Sequence, residues 1–117
     1  MTDDDALCIT TMYNLATLLY KQYDRDGNEE MIVQEAQDLF ERVLRGQSST
    51  LGHEHPSTLT TIHDLAVLLQ HRHHYQKAQE MWERLLRGQE SSLGKLDVAT
   101  LATLHRMATM FNEQVGN

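Results

Sequence analysis

With 117 residues, a formal net charge of −7 and only ten Lys and Arg, scattered without a basic run, the chain is about one domain of sequence and lacks the cationic face of a nucleic-acid binder. Apolar residues make up 40% and proline occurs once, which suits a helical globular chain and excludes a disordered one. A single cysteine, Cys8, excludes an intrachain disulfide framework. No stretch nears the roughly 18 apolar residues of a membrane span, and the start MTDDDAL lacks a signal peptide's basic and apolar regions, so an intracellular, cytoplasmic protein is expected.

The first periodic segment is DALCITTMYNLATLLY, residues 5–20. Its Ile9, Met12, Leu15, Ala16 and Leu19 line one face of a 3.6-residue period, which predicts a helix, with Asp5 a suitable N-cap. The next stretch, KQYDRDGNEEMIVQE, carries turn residues at Asp24, Asp26, Gly27 and Asn28, and an inserted loop near 22–30 is expected, although part of the excess could lengthen the first helix through Tyr23. From Ala36 a second helix turns Leu39, Phe40, Val43 and Leu44 inward and closes at Leu51-Gly52. A third follows Pro56, a residue tolerated in a first turn, and repeats the first face as Leu59, Ile62, Leu65, Ala66 and Leu69. The fourth turns Ala78, Met81, Trp82, Leu85 and Leu86 inward and closes at Leu93-Gly94. The fifth, capped by Asp97, carries Leu101, Leu104, Met107, Ala108 and Phe111. Gly46 and Gly88 fall inside the second and fourth helices, each at a cost of about 1 kcal/mol relative to Ala.

The chain writes one stretch twice. AQDLFERVLRGQSSTLG (Ala36 to Gly52) returns 42 residues later as AQEMWERLLRGQESSLG (Ala78 to Gly94), with 11 of 17 positions identical. A period of that size means a stacked repeat array. The expected architecture is all-α, an αα-hairpin solenoid of five helices in the order A-B-A-B-A. It is read as a single domain over 1–117, with repeats at 5–52, 55–94 and 97–115. Phe40 and Trp82, at matched positions, are core packing residues.

Certain segments are specific enough to suggest a family. NLATLLY at Asn14–Tyr20, LGHEHPSTLTTIHDLAVLL at Leu51–Leu69, YQKAQEMWERLL at Tyr75–Leu86 and LGKLDVATLATLHRMATMF at Leu93–Phe111 span nearly the whole chain. Together they resemble the 42-residue tetratricopeptide repeats of kinesin light chain and of fungal NLR-like (NB-ARC or NACHT) proteins. Two positions depart from that pattern: His73 stands where glycine is usual before the loop tyrosine, and Asp64 and Arg106 replace the asparagine kept at Asn14. The resemblance implies a right-handed superhelix, no enzymatic activity, no cofactor, and a concave groove of A helices that binds a protein or peptide segment.

Each A helix carries a polar stripe suited to that role. The stripes read Thr10, Tyr13, Asn14, Thr17, Lys21; Thr60, His63, Asp64, Val67, His71; and Ala102, His105, Arg106, Thr109, Glu113. Related modules clamp C-terminal carboxylates with Lys, Asn and Arg. Arg106 matches one such position, but Asp64, Tyr13 and Ala102 do not, so an amphipathic or basic and polar segment is the expected ligand rather than an acidic tail.

Other constellations read as structural. His71, His73 and His74 share a turn, and His53 and His55 flank another, without the converging ligands that a metal site needs. Asp24, Asp26, Asn28 and Glu35 take four places of a calcium-loop pattern, but Glu29 stands where that loop demands glycine. Nothing orients Cys8 with a histidine as a nucleophile, and no glycine-rich phosphate loop occurs. The last A helix has no B helix after it in this sequence. Its Leu104, Met107 and Phe111 are therefore expected to be uncovered, and to serve either self-association or stacking in a longer array. A purely structural or oligomerisation segment is the alternative to peptide binding.

Overall fold

The computed structural model describes residues 6–26 and 30–116, and every regular element among them is an α-helix. In chain order these are α1 (Ala6–Asp26), α2 (Glu30–Thr50), α3 (Pro56–His71), α4 (Tyr75–Leu93) and α5 (Val98–Gly116). The chain divides into two compact units, Met1–His53 and Glu54–Asn117. The first is the α1–α2 hairpin. The second is the α3–α4 hairpin with α5 packed on α4.

Within the first unit, Ile9, Met12 and Ala16 of α1 are buried against Val33, Ala36, Phe40 and Val43 of α2. The predicted inward residue Leu15 is instead 44% exposed, and Leu19 is half-buried. Of the insertion expected as a loop near 22–30, the described residues, 22–26 and Glu30, are helical. α1 runs to Asp26, five residues past Lys21, the counterpart of α3's last residue, and α2 begins three residues before Val33, the counterpart of α4's first. The eight extra residues therefore lengthen two helices, and Gly27 and Asn28 lie outside the described residues, as does the proposed cap Asp5.

The second unit repeats the scheme. Leu59, Ile62, Leu65, Ala66 and Leu69 are all buried on α3, facing Ala78, Trp82 and Leu85 of α4, while Met81 and Leu86 are half-buried. Ala36 and Ala78 are both completely buried, as the repeat requires. Small residues there let two helices approach closely.

Local chemistry explains the helix ends. His55, not read as a cap from sequence, precedes Pro56 and accepts at Nδ1 from the Ser57 N–H at 3.1 Å. Asp97 accepts from the Ala99 N–H at 2.9 Å and caps α5, as expected. Gly52 (φ 97°) and Gly94 (φ 94°) supply the positive-φ exits of α2 and α4. α3 ends in a Schellman motif, with His74 N–H donating to the Leu69 carbonyl at 2.9 Å and His73 N–H to that of Gln70 at 3.0 Å. The residue at the turn is His73, at φ 62°.

Both internal glycines sit in unbroken helix. At Gly88 the reason is contact: a Cβ there would lie 2.6 Å from Cδ2 of Leu59 on α3.

The apolar face of α5 lies largely uncovered, as expected for Leu104 and Phe111. Leu101, Leu104, Ala108 and Phe111 are exposed, Met107 is half-buried, and the residues that meet the core are Thr100, Thr103 and Met110. α4 covers only one side of α5's wide apolar face. Thr100 and Thr103 tolerate burial because their hydroxyls are bonded: Thr100 donates to the Gly94 carbonyl at 2.8 Å, Thr103 to Gln89 Oε1 at 2.5 Å. No helix among the described residues is long and apolar enough to cross a membrane.

Candidate functional site: the polar stripes and the cleft beside His63

The A-helix stripes lie at the surface. On α1, Thr10, Asn14 and Lys21 are exposed, and Tyr13 and Thr17 are half-buried. On α3, Thr60 and His71 are exposed, while His63, Asp64 and Val67 are half-buried. On α5, Ala102, His105, Arg106, Thr109 and Glu113 are all exposed.

Several of these side chains already have local partners. Thr60 and Thr109 donate to the carbonyls of Pro56 (3.0 Å) and His105 (2.9 Å), the back-bonding habit of helical threonine. Glu113 accepts from Gln70 Nε2 of α3 at 2.8 Å. His63 Nδ1 lies 3.5 Å from Asp64 Oδ1.

One contact occurs in both hairpins. The Tyr13 ring stands edge-on to Phe40, centroids 6.0 Å apart and planes at 68°. At the matched positions His63 stands edge-on to Trp82, at 5.4 Å and 80°. α1 and α3 thus each pin the large aromatic of the following helix with one stripe residue, itself half-buried. Such edge-to-face pairs contribute about 0.5–1.5 kcal/mol beyond their buried area. The stripe residues Tyr13 and His63 therefore serve packing as well as the surface.

In the second unit the stripe borders a cleft of about 540 Å³. Pro56, Leu59, Leu85 and Leu93 supply apolar walls, and Glu54, Thr60, His63, Gln89 and Ser92 supply polar groups. Glu54 is held by the Ser91 hydroxyl at 3.0 Å. The volume lies within the range of small-ligand pockets, and apolar walls with a few placed polar groups are what an anchoring side chain of a bound segment requires. Of the predicted stripe residues, Thr60 and His63 come together here, whereas Asp64, Val67, His71, His105, Arg106 and Thr109 are not among its walls. The sequence pattern assigns Leu59 and Leu85 to the core and gives Gln89 no role. Their one sequence signal was Gly88, a missing side chain opposite Leu59.

The histidine turn is accounted for by backbone geometry. His73 Nδ1 and the Tyr75 hydroxyl are 2.7 Å apart, with the rings in contact. Of the calcium-loop pattern, Asp24 and Asp26 belong to α1 and Glu35 to α2, while Asn28 lies outside the described residues. Among the described residues no three His, Cys, Asp or Glu side chains converge as metal ligands. Cys8 is half-buried.

Comparison with known proteins agrees with this geometry. A family model described as tetratricopeptide repeat matches residues 33–91. No curated protein matches the chain. Among solved structures, a protein of Podosopora anserina that carries the name kinesin light chain and is built of nearly identical TPR-like repeats superposes with a TM-score of 0.75 at 29% identity, over 96% of this chain and 49% of that one. A variant of that protein, with one glutamine replaced by methionine, gives 0.76 and 27%, over 100% and 51%. This chain spans about half the length of those it matches. The twice-written hairpin, its matched aromatic contacts and these likenesses lead to one conclusion: the chain belongs to the tetratricopeptide repeat family, whose members are generally non-enzymatic scaffolds that mediate protein–protein interaction, and its repeats are of the kinesin-light-chain type.

Proposed function

We propose that the protein is an interaction scaffold that binds a peptide or protein segment along the polar stripes of its A helices, anchored by an apolar side chain in the cleft beside His63. The observation that carries this reading is the junction of stripe and cleft, where Thr60 and His63 stand next to the walls formed by Leu59 and Leu85. Backbone groups of the segment would pair with Thr60, Asp64 and Gln89, while its anchor displaces water from the apolar walls. The surrounding charge favours a segment with Lys or Arg beside the anchor, because the chain carries −7 overall and Glu54 and Asp64 lie at or near the cleft. His105, Arg106 and Thr109 on α5 are offered as further contacts of such a segment.

A random 12-residue peptide library displayed on phage tests the proposal. Selected sequences should share one large apolar residue with neighbouring basic residues. They should lose at least about tenfold in affinity to Thr60→Arg, a change at an exposed position that leaves the melting temperature unaltered. Selection that yields no shared pattern, or peptides indifferent to Thr60→Arg, would refute the cleft-centred reading. His63→Ala is the poorer probe, since it also removes the contact with Trp82. A second reading, a segment that acts through association, is favoured by the exposed apolar residues of α5.

A further inference from the structure

One wall residue of the cleft beside His63 differs in kind from the rest. Pro56, Leu59, Leu85 and Leu93 are apolar, and Thr60, Gln89 and Ser92 are neutral hydrogen-bonding groups. Glu54 is the one carboxylate among the described residues that line the cleft, and no Lys or Arg is part of the wall. Its side chain is exposed yet held. Oε1 accepts from the Ser91 hydroxyl of α4 at 3.0 Å, which leaves Oε2 to meet a cation. The fold does not require the charge: the matched residue ahead of α5, 42 positions on, is Leu96, 87% exposed.

We propose that Glu54, positioned by Ser91, is the residue that decides which segment the cleft admits, by pairing with one Lys or Arg two residues from the apolar anchor. The assignment rests on a segment being anchored in this cleft, and it names the feature of that segment that is recognised. Thr60, Gln89 and Ser92 are groups that pair with backbone N–H and C=O. An extended segment has those backbone groups to offer, whereas a helix satisfies its own. Along an extended segment side chains alternate in direction, so residues two from the anchor share its side, about 7 Å away. From there the long stem of a Lys or Arg reaches a carboxylate on the cleft wall. The residue next to the anchor points the other way. Asp64 is a weaker candidate for the pairing, since it is not part of the wall and its Oδ1 lies 3.5 Å from His63 Nδ1. Exposed ion pairs contribute little when two flexible side chains must both be ordered. A glutamate already tethered by a hydroxyl loses less freedom on pairing, and that is the part Ser91 plays.

The test selects the 12-residue phage library in parallel on the parent chain, on Glu54→Lys and on Glu80→Lys. Glu80 is an exposed residue of α4 outside the cleft, so its variant makes the same change in net charge elsewhere. The parent and Glu80→Lys pools should share a large apolar residue with Lys or Arg at the second position to one side of it. The Glu54→Lys pool should keep the apolar residue and carry Asp or Glu at that position instead. For a synthetic peptide from the parent pool, Glu54→Gln, which can still accept from Ser91, should weaken binding about fivefold, and Glu80→Gln less than about twofold. Ser91→Ala should lower the preference for this peptide over its norleucine analogue by about twofold to threefold without altering affinity for the analogue. Ser91→Thr should restore the preference. A Glu54→Lys pool that stays basic, basic residues at no fixed spacing, or equal losses in Glu54→Gln and Glu80→Gln would overturn the assignment. Those outcomes leave the apolar anchor and its sensitivity to Thr60→Arg standing. An unchanged preference in Ser91→Ala would remove Ser91 from the pairing. Pools that share no apolar residue would remove the anchored segment itself, and the assignment with it.

Discussion

His73 occupies the left-handed turn that closes α3, at φ 62°, a region that favours glycine. A side chain in that region costs about 1–2 kcal/mol relative to the right-handed one, and histidine tolerates it better than a β-branched residue would. The contact between His73 and Tyr75 offsets part of the cost. His73→Gly should therefore stabilise the chain by about 0.5–1 kcal/mol, seen as a melting temperature higher by roughly 3–6 °C. His73→Val should lower it by a similar or larger amount. The same residue type does different work elsewhere: His55 caps α3, and His63 packs on Trp82. These roles were hidden in the sequence because one imidazole serves as acceptor, ring or turn residue according to its backbone position.

Between elements, the approach of α3 to α4 depends on Gly88 and Leu59. Alanine at 88 gains about 1 kcal/mol of helix propensity, yet its Cβ meets Leu59 Cδ2 at 2.6 Å. Leu59 also walls the cleft, so its side chain has room to swing into it. Gly88→Ala is expected to stay within about 1 kcal/mol of the parent in urea unfolding while lowering affinity for an anchored peptide, because the displaced leucine fills the cleft. Gly88→Leu cannot be relieved in this way and should cost about 2–3 kcal/mol. At matched positions Trp82→Phe imitates Phe40 of the first hairpin. It should cost about 1–1.5 kcal/mol against about 3–5 for Trp82→Ala, since the indole Nε1 is buried without a partner among the described residues and its removal forfeits no hydrogen bond. Urea titrations of both variants compare the two.

For the molecule as a whole, net charge governs which segments it admits. A chain of −7 attracts cationic partners over distances that salt shortens, from a Debye length of about 10 Å at 0.1 M to about 3 Å at 1 M. Affinity for a basic peptide should fall roughly tenfold between about 50 and 500 mM salt, measured by fluorescence anisotropy, while that for an uncharged analogue of the same anchor changes little. Equal salt dependence for both peptides would mean that long-range charge plays no part in selection.

By itself the sequence determined the helices, their order and the two equivalent hairpins. The 42-residue echo and the 3.6-residue spacing are local facts, carried by residues such as Ala36, Ala78, Phe40 and Trp82, whose burial the repeat dictates. Tertiary structure decided what depends on which neighbour is present. Leu101 and Leu59 occupy the same place in the pattern, yet one is exposed and the other buried, because α4 lies on only one side of α5. Asp24 and Asp26, turn-like by composition, lie in helix, since periodicity does not reveal how far a helix continues once its neighbour supports it. The cleft beside His63 arises where side chains from α3 and α4 fail to meet, and such a gap is a property of two surfaces together.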